Sequence, residues 1–185
     1  EQDLPSLKLE CDLCLSWEMA SDLSYEFRLR TDVYWHDIAP VNGRVLVADD
    51  LVFSYERMRT PGWPNAPLFS AVDTIEAPDR RTLRLTLASP DADLLLSLAD
   101  GHAKVVAREV VAEFGDLKTS PVIGTGPWIW EQTQQGVGTT LGRNPDYFEE
   151  GMPFLDRLLV SVIKEDGLEQ SAQRKALAAF SAGVV

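Results

Sequence analysis

An α+β architecture with mixed β-sheets and short helices is predicted by three features of this chain. Several short stretches alternate apolar and polar residues with a period of two. A few others switch to the 3.6-residue period of a helix. The two kinds are interspersed without a strict strand–helix alternation. The 185 residues suit one domain, or one domain with a small satellite, and 45% apolar with 25% charged residues is the composition of a globule rather than of a disordered or fibrous chain.

The elements follow in order. Leu13, Leu15 and Trp17 alternate with polar neighbours, and over 24–31 Tyr25, Phe27 and Leu29 alternate with Glu26, Arg28 and Arg30. Both read as strands, the second with one wet face. The link Ala20-Ser21-Asp22-Leu23 is short and polar enough for a hairpin. Over 48–59 the period changes, and Leu51, Val52, Tyr55 and Met58 fall on one helical stripe. Asp49 and Asp50 sit in its first turn, where negative charge suits the helix dipole, and Pro61-Gly62 and Pro64 stop it.

Strands return at 72–77 and 82–88 across the turn residues Pro78-Asp79-Arg80. Residues 91–99 read as a short helix, 103–106 as a short strand, and 108–114 as a helix closed by Gly115. Residues 128–132 and 139–143 read as a second hairpin through Gln135-Gly136. The run 158–163 is apolar but for Ser161, which predicts a strand covered on both faces. Leu168, Ala172, Ala176, Ala179 and Phe180 form a last helical stripe. Val184-Val185 after Gly183 reads as the opening of a further strand, so the chain is expected to continue in its natural context.

Acidic residues number 29 against 17 basic, a net charge of −12. Such a chain is repelled by phosphate backbones and anionic headgroups, which disfavours nucleic acid and membrane surfaces as partners. No apolar run approaches the roughly 20 residues needed to cross a bilayer.

Candidate chemistry is sparse. Cys11-Asp12-Leu13-Cys14 is a CxxC, yet no second ligand pair completes a zinc site, and the motif leads into a strand rather than opening a helix. On an extended chain the two Cα atoms would lie about 10 Å apart, beyond disulfide reach. The pair is read as two small hydrophobes, with a local disulfide the alternative if the backbone folds back here. Residues 136–142 run GxGxxxG between two strands, one residue too long for a dinucleotide fingerprint, and suit a hairpin turn better. His36-Asp37 is an adjacent pair whose side chains point apart on an extended backbone, and Asp49, Asp50, Asp91 and Asp93 stand where capping explains them. GxSxG and GxxxxGK[ST] are both missing. Catalysis has no constellation to stand on. The remaining signal is aromatic: Tyr34-Trp35 precede a long loop, and Trp63 and Phe69 lie in the Pro/Gly-rich stretch after the first helix. Loop aromatics either plug a core edge or line a ligand cleft.

Read together, several motifs resemble one family. They are Ser16-Trp17-Glu18, then Tyr25-Glu26-Phe27-Arg28-Leu29-Arg30, then Val33-Tyr34-Trp35-His36-Asp37 and Ala48-Asp49-Asp50-Leu51-Val52-Phe53-Ser54-Tyr55. Gly124-Thr125-Gly126-Pro127, Arg143-Asn144-Pro145-Asp146-Tyr147-Phe148 and Gly151-Met152-Pro153-Phe154-Leu155-Asp156 follow in family order. From about Cys11 to its end the chain is similar to the family 5 extracellular solute-binding proteins, the ligand-capturing subunits of ABC importers. Departures are Cys11 and Cys14 where the family usually has Pro and Ala, extra residues over 38–46, Val47 in place of a capping Thr, and Trp128 and Phe148 in place of the commoner Tyr and Trp.

The resemblance implies part of a type II periplasmic-binding-protein-like lobe. Residues 1–120 would be a smaller subdomain, and 121–185 a segment returning to the first-lobe sheet and truncated at its C-terminus. It implies capture of a small organic ligand, a peptide above all, outside the cytoplasm, and delivery to a permease. Neither cofactor, metal nor catalytic residue is implied, and membrane contact comes only through any lipid anchor of the full-length chain. The loop carrying Trp63, Pro67 and Phe69 would approach the cleft, making Trp63 and Phe69 the candidate ligand-binding residues. Gly124, Gly126 and Pro127 would shape the passage between subdomains. Two other readings stay open: a ligand-sensing module fused to a signalling domain, and a CxxC oxidoreductase.

Overall fold

In the computed structural model, which describes residues 8–162, β1 (Cys14–Ser21) and β2 (Ser24–Leu29) form the first hairpin through the polar link. The chain divides into two compact units, Glu1–Thr125 and Gly126–Val185, each described by itself. Of the stretches predicted above, Ile163 and the helical stripe from Leu168 to Phe180 lie outside the described residues.

In the first unit, β3 (Val72–Asp79) and β4 (Thr82–Leu87) complete a four-stranded sheet of order β1-β2-β4-β3. Helix α1 (Ala48–Met58) packs on the β3–β4 end of this sheet. Leu83, Leu85 and Leu87 of β4 point the same way as Phe27 and Leu29 of β2, and Leu51, Tyr55 and Met58 of α1 close over them as the buried core. Leu15, Trp17 and Met19 share a face with buried Tyr25 and Phe27 across the β1–β2 register, but β1 lies at the far edge from α1 and its apolar side chains stay exposed. Val47, at the N-cap of α1, supplies no side-chain acceptor. Half of a capping box survives in reverse: the Val47 N–H donates to Asp50 Oδ2 at 3.0 Å.

Two predictions between β4 and the end of this unit need correction. Helix α2 (Leu94–Ala99) starts later than expected, because Asp91 Oδ1 accepts the Asp93 N–H at 2.9 Å and holds a turn where the helix was placed. Residues 103–106 form no strand. The Ser54 hydroxyl donates to the Asp50 carbonyl at 2.7 Å and accepts the Val106 N–H at 2.9 Å, so α1 satisfies this amide in place of a neighbouring strand. Helix α3 (Arg108–Phe114) occupies the predicted residues and ends at Gly115, whose φ is +74°.

In the second unit, β5 (Trp128–Gln134) and β6 (Gly138–Arg143) make the second hairpin, and β7 (Arg157–Ser161) adds to β6. Gly136, at φ +74°, makes the turn, so GxGxxxG is hairpin chemistry. Buried Asn144 binds two of the motifs together: its N–H donates to the Pro127 carbonyl at 2.8 Å and its side-chain amide to the Gly126 carbonyl at 2.9 Å. Strand β7 is not covered on both faces. It is an edge strand with β6 beside it, and Leu159 is 63% exposed, because no described element packs over either face of its apolar run. Among the described residues every strand pairing is antiparallel.

Candidate functional site

Three places carry side-chain chemistry, all in the first unit. The Pro/Gly-rich loop leaves α1 at Arg59 and re-enters the sheet at Val72. Gly62 adopts φ +88°, which a side chain would resist, and successive backbone bonds from Trp63 to Thr60, Ala66 to Trp63 and Leu68 to Asn65 coil the loop into tight turns. Arg59 clasps the return, donating from Nη1 to the carbonyls of Val72 at 3.2 Å and Asp73 at 2.7 Å. Asn65 reaches the His102 carbonyl at 3.3 Å, tying the loop to the turn after α2.

The two candidate ligand-binding aromatics do not share an environment. Phe69 is 2% exposed, its ring 4.9 Å from that of Tyr55, so it anchors the end of the loop in the core. The Tyr55 hydroxyl is pushed up to about 12 by burial and stays neutral there. Trp63 is 39% exposed, with the Arg57 guanidinium 4.4 Å from the ring centre. Trp63 therefore presents aromatic surface outward from a loop that Phe69 holds down.

The second place was not legible as a site. Arg44 donates to both oxygens of Asp50, at 2.8 and 2.7 Å, and from Nε and Nη2 to both oxygens of Glu109, at 2.6 and 2.9 Å. Asp50 also accepts from Trp35 Nε1 at 3.4 Å. The two carboxylates raise the Arg44 pKa further above its ordinary value, and hydrogen bonds from Arg44 hold Glu109 below the usual glutamate range. This cluster lines an open cleft of about 420 Å³ together with Val45, Val47, Asp49, Arg80 and Arg108. Its three arginines and three carboxylates balance, and the Arg44 donors are committed to Asp50 and Glu109. It is a structural knot joining the 38–46 segment, α1 and α3. A sequence signal existed only for the acidic side, as helix-start aspartates; the cation lies in the extra residues that the family pattern lacks.

The third place is the CxxC. Cys11 and Cys14 are disulfide-bonded, with Cα atoms 5.0 Å apart, against the reading as separate hydrophobes. The chain is not extended here: residues 12–13 form a bend and β1 begins only at Cys14, which brings the two Cα atoms within disulfide reach. His36, the other motif residue, is buried in a loop, where its N–H donates to the Gly124 carbonyl at 2.8 Å and its Nδ1 accepts the Gly124 N–H at 3.2 Å. It serves as a tie between loops. No group of three metal-binding side chains occurs among the described residues, and none of their helices is long and apolar enough to cross a membrane.

Comparison with known proteins gives a consistent picture. The model for bacterial extracellular solute-binding proteins, family 5 Middle, matches residues 8–183. Di/tripeptide-binding protein 2 of Pseudomonas aeruginosa is 29% identical over 88% of this chain and 34% of its own length. The HTH-type transcriptional regulator SgrR of Escherichia coli is 35% identical over 65% of this chain and 20% of its own. The solved structure of MoaA from A. tumefaciens R10 in complex with mannopinic acid superposes with a TM-score of 0.78 at 31% identity, covering 95% of this chain and 34% of that one. The chain thus spans about a third of the length of the binding proteins it matches.

Proposed function

The chain belongs to the bacterial extracellular solute-binding proteins of family 5, and from that premise we propose that it forms one wall of the ligand cleft in the substrate-binding component of an ABC importer. The observation that carries this reading is the family match spanning residues 8–183. Residues 1–120 act as the smaller subdomain of the first lobe, and 121–185 return toward that lobe's sheet. A second lobe closes over the ligand, and a membrane permease receives it. The ligand is a small organic molecule, a short peptide in the first instance, given the di/tripeptide-binding relative. Trp63 supplies apolar contact at low rotamer cost, and Phe69 keeps its loop in place. The Cys11–Cys14 disulfide supports a place outside the cytoplasm, since such bonds persist in oxidising compartments.

Titration calorimetry with a di- and tripeptide library tests the reading. The full-length protein should hold a peptide with micromolar or tighter affinity, and residues 1–185 alone should hold none below micromolar, because closure needs both lobes. A tight peptide complex of residues 1–185 alone would contradict the two-lobe account.

A second reading has its own observation, the 35% identity with the transcriptional regulator over 65% of this chain. In it the same fold senses a ligand and reports to a fused DNA-binding segment. The full-length sequence separates the two: an export signal upstream supports transport, and a helix-turn-helix segment supports sensing.

A further inference from the structure

A sheet edge leaves backbone N–H and C=O groups open to another strand, and native sheets blunt such edges with charge, proline or cover. The two edges of the β1-β2-β4-β3 sheet differ in this respect. Strand β3 is blunted. Asp73, Glu76 and Asp79 punctuate it, Pro78 offers no N–H, and Arg59 already occupies the Val72 and Asp73 carbonyls. Strand β1 carries no proline, lysine or arginine, and Glu18 is its one charge. Register shifts fall near its two ends, which leaves Ser16–Met19 as a regular central run.

The apolar side chains of this open edge lie uncovered. Leu15 is 59%, Trp17 40% and Met19 54% exposed, and the Trp17 ring leans on Tyr25 with centroids 6.3 Å apart. Among the described residues, β2 is the element that β1 packs against. The entry of the strand is fixed, because the Cys11–Cys14 disulfide closes the bend before it and the Leu13 carbonyl accepts the Arg30 N–H at 3.0 Å. The edge is thus held extended without a partner, and little ordering is needed to receive one.

Charge selects that partner. Between Leu9 and Leu23 stand Glu10, Asp12, Glu18 and Asp22, all exposed, and no lysine, arginine or histidine. Across the β1–β2 pairing, Arg28 and Glu26 offset each other. A second copy of this chain would bring the same acids and a net charge of −12 against them. A strand with basic side chains meets an attractive field instead.

We propose that the free edge of β1 is a docking site for an extended segment of a partner protein that alternates apolar and basic residues. The segment adds to the sheet beside β1, its main-chain groups bonding those of the open edge. Its apolar side chains lie against Leu15, Trp17 and Met19, and its basic ones reach the acids around the strand. The Trp63 loop leads into β3 at the opposite edge, so this surface stands apart from the peptide-cleft reading.

The test follows amide hydrogen exchange in the full-length protein, with synthetic end-capped peptides of the length of β1 as probes. One alternates valine and lysine, a second valine and glutamate, and a third repeats the first with its backbone amides methylated. The valine–lysine peptide should slow exchange in β1, which separates this site from a peptide held by the Trp63 loop, and the other two should not. Leu15→Ser combined with Met19→Ser should weaken that peptide at least about tenfold, with a thermal melt confirming the fold. No protection of β1, equal binding of the methylated peptide, or an unchanged affinity in the double variant overturns the proposal. So does β1 protection before any peptide is added: independent of protein concentration, it assigns the edge to the protein's own chain, and rising with concentration, to a second copy.

Discussion

Arg44 grips both oxygens of Asp50, at 2.8 and 2.7 Å, and Asp50 is only 1% exposed. A carboxylate so deeply buried is tolerable because a bidentate guanidinium, the Trp35 indole N–H and the Val47 N–H share its charge. Removing the cation leaves the anion stranded. Arg44→Met should cost about 3 kcal/mol in urea unfolding, and Arg44→Met combined with Asp50→Leu should recover much of that loss. A cost for Arg44→Met below about 1 kcal/mol would show that the pair is incidental.

Acid should loosen the same knot from its exposed side. Glu109 ionises more readily in the folded chain than in the unfolded one, because Arg44 donates to it. Its contribution is complete above the ordinary glutamate range, about pH 4.3, and disappears as pH falls through its lowered folded value. Melting temperature should therefore drop between about pH 5 and pH 3, and Glu109→Gln should flatten that slope. A slope unchanged by this substitution would place the acid sensitivity elsewhere, for example at Asp32, held low by Arg30, or at Asp79, held low by the Arg81 N–H.

The two loop aromatics should separate stability from binding. Phe69→Ala empties a core position beside Tyr55 and should cost about 3–4 kcal/mol. Trp63→Ala removes a half-open ring and an exposed cation–π contact, and should cost about 1 kcal/mol or less. In the full-length protein, Trp63→Ala should still weaken ligand binding about tenfold, or about 1.4 kcal/mol. Equal stability losses for both variants would show that Trp63 is a core plug like Phe69.

The disulfide closes a small ring, so its stabilising effect should be modest. A loop of this size removes about 2 kcal/mol of unfolded-chain entropy. Replacing Cys11 and Cys14 together with Ala should lower stability by about that amount, and mass spectrometry of the protein alkylated without reductant should find no free thiol. Alkylation of both residues would put the bond in doubt.

Glycine at 138 has a packing reason. A Cβ there would run into the Val160 carbonyl across the β6–β7 pairing. Gly138→Ala should pry β7 from β6 and expose the β7 amides to rapid hydrogen exchange, while exchange in the β1–β4 sheet stays unchanged. Protection of β7 equal to wild type would refute the clash.

Local order was written plainly in the chain. The alternation of Tyr25, Phe27 and Leu29, the stripe Leu51, Tyr55 and Met58, and Gly115 after Phe114 mark a strand, a helix and a helix end that stand where expected. Such patterns act over one or two turns of backbone, so neighbours along the chain suffice to reveal them. The Gly124–Pro127 and Arg143–Phe148 motifs likewise announced a family, and Asn144 shows why their residues belong together.

Folding alone brought the distant partners into contact. Arg44 lies six residues from Asp50 and 65 from Glu109. No periodicity links the three, and their joint charge balance exists only where a loop, a helix start and a second helix converge. The same holds for Ser54 and Val106, whose bond replaces a predicted strand, and for Cys11 and Cys14, brought within reach by one bend. Exposure is equally non-local: an apolar alternation records which face of a strand seeks cover, but whether Leu15 or Leu159 finds it depends on elements packed from elsewhere. Periodicity is a property of adjacent residues, and it is inherited by secondary structure. Proximity across the fold follows from how those elements close on one another, so the partners of Asp50 became visible only in three dimensions.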